Sequence, residues 1–206
     1  MLFSPKDISH HRAAAPLASA AAAKAKKSTT MLATAAQKLA DIMPDIEHDQ
    51  VTSYVSGGDW SMHDLAFHML RRVGPAHLVA ATWSMSERPC ELLIDALADG
   101  RLLSMRLLVD WRVQVRCPKA HVLAKQHAVA VRVSSCHAKA FTLHNDEWDV
   151  AVVGSSNFTN NPRIEAGMIV TIPSIATFNR SWILAEIANA QPFGCDMRKG
   201  YSDGRK

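Results

Sequence analysis

Two short signatures in this chain carry residue types suited to phosphate chemistry. His137 and Lys139 stand two apart in CHAKAFTL (136–143), and Ser155 and Asn157 stand two apart in GSSN (154–157). An imidazole titrates near neutral pH, so it can serve as nucleophile, base or acid. An ammonium, with fixed hydroxyl and amide donors, stabilises charge developing on oxygen. On an extended strand, residues i and i+2 share a face. That spacing predicts that His137 and Lys139 point together, while Cys136, Ala138 and Ala140 turn inward. A basic pair on a packed strand is costly unless it meets an anion. Gly154 allows close backbone approach, which would bring Ser155, Ser156 and Asn157 to the same anion.

Other candidates lie nearby in sequence or at strand ends. Arg163 in NPRIE (161–165) is close to both Asn157 and Glu165. Asp110 and Arg112 in VDWR (109–112) end a strand, where ligand sites of α/β sheets are found. They read equally as cleft residues or as a strand-end ion pair over Trp111.

The surrounding pattern supplies elements to hold these groups. Ser61 and Asp64 form a capping-box signature, followed by the apolar stripe Met62, Leu65, Ala66, Met69, Leu70 and Val73 and closed by Gly74-Pro75. Residues 77–84 read as a buried strand. Residues 86–100 read as a helix with Pro89 in its first turn and Gly100 at its end, and 102–110 as the next strand. Residues 128–143 read as one strand, paired through a turn at 145–148 with 149–156. A strand at 165–172 and a helix at 174–190, with Phe178, Trp182 and Ala185 on one side, complete an α/β architecture.

The paired signatures resemble the phospholipase D superfamily, whose motif reads HxK, four residues, Asp, six residues, then GSxN. The matching residues are His137, Lys139, Gly154, Ser155 and Asn157, and Glu165 matches a family carboxylate. The resemblance extends over about residues 52–190. His144 stands where the family Asp falls, and the hairpin is three residues longer, leaving Asp146 or Asp149 for that structural role. The resemblance implies a mixed β-sheet flanked by helices. It also implies metal-independent phosphodiester hydrolysis through a phosphohistidine, with no cofactor, His137, Lys139, Asn157 and Glu165 catalytic, and Glu165 orienting an imidazole. Ser155, Ser156, Arg163, Asp110 and Arg112 would bind substrate. The mechanism needs two histidines, yet no other histidine is followed two residues later by lysine. A homodimer that sets two copies of His137 across one phosphate is therefore expected. The expected activity is that of a nuclease on DNA or RNA. The alternative is a degenerate fold that binds nucleic acid, or serves as a scaffold, without cutting.

Composition agrees with a single globular domain. The 206 residues are 48% hydrophobic and 20% charged, with formal net charge +4. The mild basic excess permits a nucleic-acid partner. The cysteines, at 90, 117, 136 and 195, form no CxxC pair, and reduced thiols in a cytoplasmic protein are expected. Cys117, His121, Cys136 and His137 are zinc-type ligands, but adjacent strand residues face opposite ways, so no metal is expected. No apolar run approaches the ~20 residues of a membrane span. Residues 1–50 are rich in alanine and lysine and read as a helical arm open to a protein partner, with a helix over 31–43. The phosphodiesterase-like domain is placed at 51–192 and a mobile tail at 193–206.

Overall fold

The computed structural model describes residues 17–24, 27–34, 39–58, 60–159 and 163–192. The expected tail from 193, the first sixteen residues and Asn161-Pro162 of NPRIE lie outside them. The strands are β1 (Leu17–Lys24), β2 (Lys27–Thr34), β3 (Val51–Ser56), β4 (Ala76–Thr82), β5 (Leu102–Asp110), β6 (Ala130–Ser134), β7 (Ala140–His144), β8 (Asp149–Gly154), β9 (Glu165–Val170) and β10 (Gln191–Pro192). The helices are α1 (Leu39–Ile42), α2 (Met62–Val73), α3 (Glu87–Ala98), α4 (Val113–Arg116), α5 (Pro118–His127) and α6 (Pro173–Asn189). All ten strands form one mixed sheet in the order β10-β6-β5-β4-β7-β8-β9-β3-β1-β2. Strands β4, β5 and β6 run parallel, and β7, β8, β9 and β3 continue the sheet antiparallel.

Alternation along each strand builds two cores. On one face Leu78, Ala80, Met105, Leu107, Phe141, Leu143, Val150 and Val152 pack with Leu65 and Met69 of α2 and Leu93 of α3. On the other, Val79, Ala81, Leu108 and Ala140 pack with Ile183 and Ile187 of α6. The parallel strands are thus covered on both faces, as such strands require. The expected α2 cap is present: the Ser61 amide donates to the Asp64 carboxylate at 2.8 Å, and Gly74 closes the helix at φ 77°. Gly100 follows α3 at φ 80°.

Three expectations are corrected. Residues 128–143 are not one strand. They divide into β6, parallel to β5, and β7, antiparallel to β4, three sheet positions away with β5 and β4 between them. The connecting residues 135–139 must therefore cross the ends of β5 and β4. Hydropathy could not show this, because both strands and the crossing share small and apolar residues. Helix α6 buries Ala176, Ile183 and Ile187 rather than the Phe178 side, and Phe178 is 67% exposed. Ile183 and Ile187 fill the cluster with Val79, Ala81 and Ala140, and Trp182 packs against it half-buried.

In the N-terminal arm, among the described residues of the expected 31–43 helix, only Leu39–Ile42 is helical. Leu17–Lys24 and Lys27–Thr34 form antiparallel strands, and the first pairs with β3. The outer edge of β3 offers unpaired backbone groups, and a ladder satisfies them while overriding alanine's weak helix preference. Ser28, Thr29 and Thr30 also favour extended backbone over helix. Among the described residues, no helix is long and apolar enough to cross a membrane.

Candidate active site at the carboxyl end of the parallel strands

The sheet topology assembles the site. Parallel strands β4, β5 and β6 end at Thr82, Asp110 and Ser134, and the crossing segment 135–139 passes over these ends. The antiparallel strands bring Gly154 and Glu165 to the same edge, through the Ala140↔Val153 and Gly154↔Gly167 pairs. Beyond the ladder, the Gly154 amide donates to the Lys139 carbonyl at 3.0 Å, which ties the two signatures together.

His137 and Lys139 lie in this crossing segment, not on a strand. The reading that they share a strand face is therefore corrected; they meet because the segment is stretched across the sheet end. Cys136 is buried and His137 exposed. The Lys139 ammonium donates to the His137 carbonyl at 2.7 Å. Burial pushes the Lys139 pKa down, while nearby Cys136, Glu165 and Asp110 pull it back up. His137, Lys139, Gly154 and Ser155, with Asn179 and Trp182 of α6, line one cavity of about 410 Å³.

The GSSN loop is fixed from both sides. The Ser155 amide donates to the Ala166 carbonyl at 2.9 Å. Its hydroxyl donates to the Glu165 carboxylate and accepts from the Ala166 amide at 3.0 Å. The described partner of Glu165 is thus Ser155 rather than His137. Asn157 meets the Thr82 hydroxyl at 3.4 Å, and Ser156 is buried. Phe158, fully buried, sets its ring edge-on to Phe141 at 6.3 Å. Its carbonyl accepts the Ser86 amide at 2.9 Å, clamping the loop to the segment after β4. Gly154 is required by close packing: a Cβ there would lie 2.7 Å from the Tyr54 hydroxyl and 2.9 Å from the Ala166 carbonyl. Burial foremost, then the Glu165 charge, pushes the Tyr54 pKa well above its usual value.

Asp110 and Arg112 form the strand-end ion pair, one of the two readings offered for them. Asp110 is fully buried and receives the Arg112 Nε at 2.6 Å and its terminal nitrogen at 3.2 Å. The guanidinium also lies 5.3 Å from the ring centre of Trp83. Arg163 is exposed beside the undescribed residues 160–162. The residues weighed for the missing Asp are remote from His137. His144 and Asp149 pair at the opposite ends of β7 and β8, Asp149 binds Arg180 of α6, and Asp146 is exposed in the turn. Among the described residues, no three His, Cys, Asp or Glu side chains converge as metal ligands.

Sequence reasoning missed Trp83. Its ring centre lies 5.6 Å from that of His137, tilted by 59°. Arg116 and Lys139 reach the same ring at 5.6 and 5.5 Å. The available signal was its place just after a buried strand, where it read as strand.

A mixed sheet covered by helices on both faces, with a site at the end of its parallel strands, defines an α/β protein, and the particular fold is that of phospholipase D. The chain is similar to Nuc from Salmonella typhimurium, a phospholipase D family member. The TM-score is 0.54 and the identity 16%, over 69% of this chain and 97% of that one. It is also similar to NucT from Helicobacter pylori, at TM-score 0.53 and 10% identity, over 69% of this chain and 99% of that one. No protein-family model and no curated protein matches the sequence.

Proposed function

We propose that the protein is a metal-independent phosphodiesterase, acting as a nuclease through a phosphohistidine in a site shared by two copies of the chain. The observation that carries this reading is the convergence of His137, Lys139, Gly154 and Ser155 on one cavity at the sheet end, with Ser155 held by Glu165. One imidazole nitrogen of His137 attacks phosphorus and forms the P–N bond as the P–O bond to the leaving group breaks. The imidazolium of His137 in the second copy gives its proton to the leaving oxygen. Water then attacks phosphorus, passes its proton to that neutral imidazole, and releases the first histidine. Lys139 and Asn157 stabilise the phosphoryl oxygens. Glu165, through Ser155, fixes the loop that presents them, and Ser156, Arg163 and Arg112 with Asp110 complete the substrate surface.

An apolar patch beside the cavity supports a second copy. Val153, Met168, Ile175 and Phe178 are 37%, 47%, 41% and 67% exposed. Val153 also lines the cavity. Residues 51–192 carry this reading. The preceding segment is assigned to contacts with a protein partner, and the protein to the cytoplasm.

The test is incubation with DNA, RNA and a chromogenic small diester, with and without EDTA. Cleavage that survives EDTA and is lost in His137→Ala and Lys139→Ala is expected. Cleavage that needs added Mg²⁺ and persists in His137→Ala would overturn the mechanism. Retention of DNA or RNA with no cleavage would favour the binding reading, which the His144 substitution in the motif motivates.

A further inference from the structure

Trp83 lies beside His137 and Lys139, with four side chains around its ring. The Arg112 guanidinium, the Lys139 ammonium, the Arg116 guanidinium and the His137 ring lie 5.3, 5.5, 5.6 and 5.6 Å from its centre. The indole N–H is buried and has no hydrogen-bond partner. A tryptophan kept here without using its polar group is placed for its π-surface, which attracts cations. Three cations gathered on one ring repel each other, and two features offset this. Asp110 neutralises Arg112 through two contacts, and the ring quadrupole draws in the rest. Arg116 differs from Arg112. It is exposed at the end of α4, and no carboxylate among the described residues pairs with it. Lys139 faces the His137 cavity, so Arg116 is the cation of the cluster left for an anion beyond the one in that cavity.

Resting on the phosphodiesterase reading, we propose that Arg116, steadied by Trp83 and the Asp110–Arg112 pair, is a second phosphate subsite next to the His137 cavity. The preferred substrate is then a polynucleotide strand, not an isolated small diester. The phosphate neighbouring the scissile one seats on Arg116 while the scissile phosphate occupies the cavity. Both phosphates belong to one strand, so the subsite reads backbone charge without reading base identity.

The experiment compares wild type with Arg116→Gln, Trp83→Leu and Trp83→Phe on single-stranded DNA and RNA oligonucleotides and on a chromogenic small diester. For Arg116→Gln we expect KM for oligonucleotides to rise about tenfold. The slope of log affinity against log salt should fall by about one, and kcat/KM for the small diester should stay within about twofold. Trp83→Leu should reproduce the oligonucleotide defect and Trp83→Phe should restore most of it, because phenylalanine keeps an aromatic face. An equal loss on both substrate types, or an unchanged oligonucleotide KM and salt slope in Arg116→Gln, would overturn the subsite. The same comparison is read by fluorescence anisotropy in the His137→Ala background. If wild type cleaves nothing, the catalytic reading fails, yet the salt slope of binding with and without Arg116 still decides the subsite.

Discussion

At the scale of single residues, the site depends on positions where nothing larger fits. Gly154 is the clearest, because the Tyr54 hydroxyl and the Ala166 carbonyl occupy the space a methyl group would need. Gly154→Ala should cost about 1–3 kcal/mol by overpacking and displace Ser155 from the cavity. Tyr54→Phe should be close to neutral alone, since its buried hydroxyl has no hydrogen-bond partner. In the double variant it should return part of the lost stability, because it removes one of the two clashing atoms. Urea unfolding of the four proteins gives the coupling directly, and strict additivity would show that the hydroxyl is not what excludes the methyl. The residues with chemistry in their names were legible in sequence: HxK and GSxN lie close together and carry their spacing with them. Trp83 and Arg116 were not, because only the sheet order brings residues from the ends of β4 and α4 beside residue 137.

At the scale of elements, the helical layer under the site carries a sensitivity to acid. His68 of α2 and His121 of α5 are 1% and 5% exposed. Burial foremost pushes each pKa down to about 4, helped by Arg72 and Arg71 at His68 and by Lys125 at His121. Because the folded values lie below the unfolded value near ~6.5, the unfolded chain takes up protons first as pH falls. The stability tied to neutral imidazoles is therefore complete above about pH 6.5 and is lost progressively between 6.5 and about 4. Each histidine should contribute on the order of 1–2 kcal/mol of this loss. Thermal melts should be level from pH 8 to 7 and fall steadily below 6.5, and His68→Gln should flatten the fall. A Tm that holds to pH 4 would contradict it. Element boundaries followed sequence well where caps punctuate them, as at Ser61 and Gly74. They failed where a partner strand decides, as in the arm beside β3, and where packing depth decides, as on the buried face of α6.

At the scale of the whole molecule, the proposed mechanism uses two histidines, and one chain carries one HxK motif. Val153 lines the cavity, Met168 of β9 pairs with Val153, and Ile175 and Phe178 are exposed on the helix that supplies Asn179 and Trp182 to that cavity, so a second copy placed there would cover apolar area and bring its own His137 toward the first. Light scattering should show a dimer at working concentration, and Phe178→Glu should shift it to monomer with loss of cleavage. Mixing that variant with wild type should not restore activity. A fully active monomer would require the second proton carrier to come from elsewhere. The proposed dimer rests in sequence on arithmetic alone, from counting HxK motifs. The surface proposed to make it was hidden because Phe178 reads as a core residue in any helical projection.

The segment 135–139 also sets an order of events. It joins β6 in the parallel half of the sheet to β7 in the antiparallel half. It cannot take its taut path over β5 and β4 until the two halves have docked. Long-range pairing of this kind is slow compared with helix formation. During refolding, far-ultraviolet circular dichroism should therefore recover before quenching of Trp83 fluorescence by the cations around it, and catalytic competence should arrive with the later signal. On the proposed mechanism, the histidine would act as a latch on a finished fold, and partly folded chains would carry no working nucleophile.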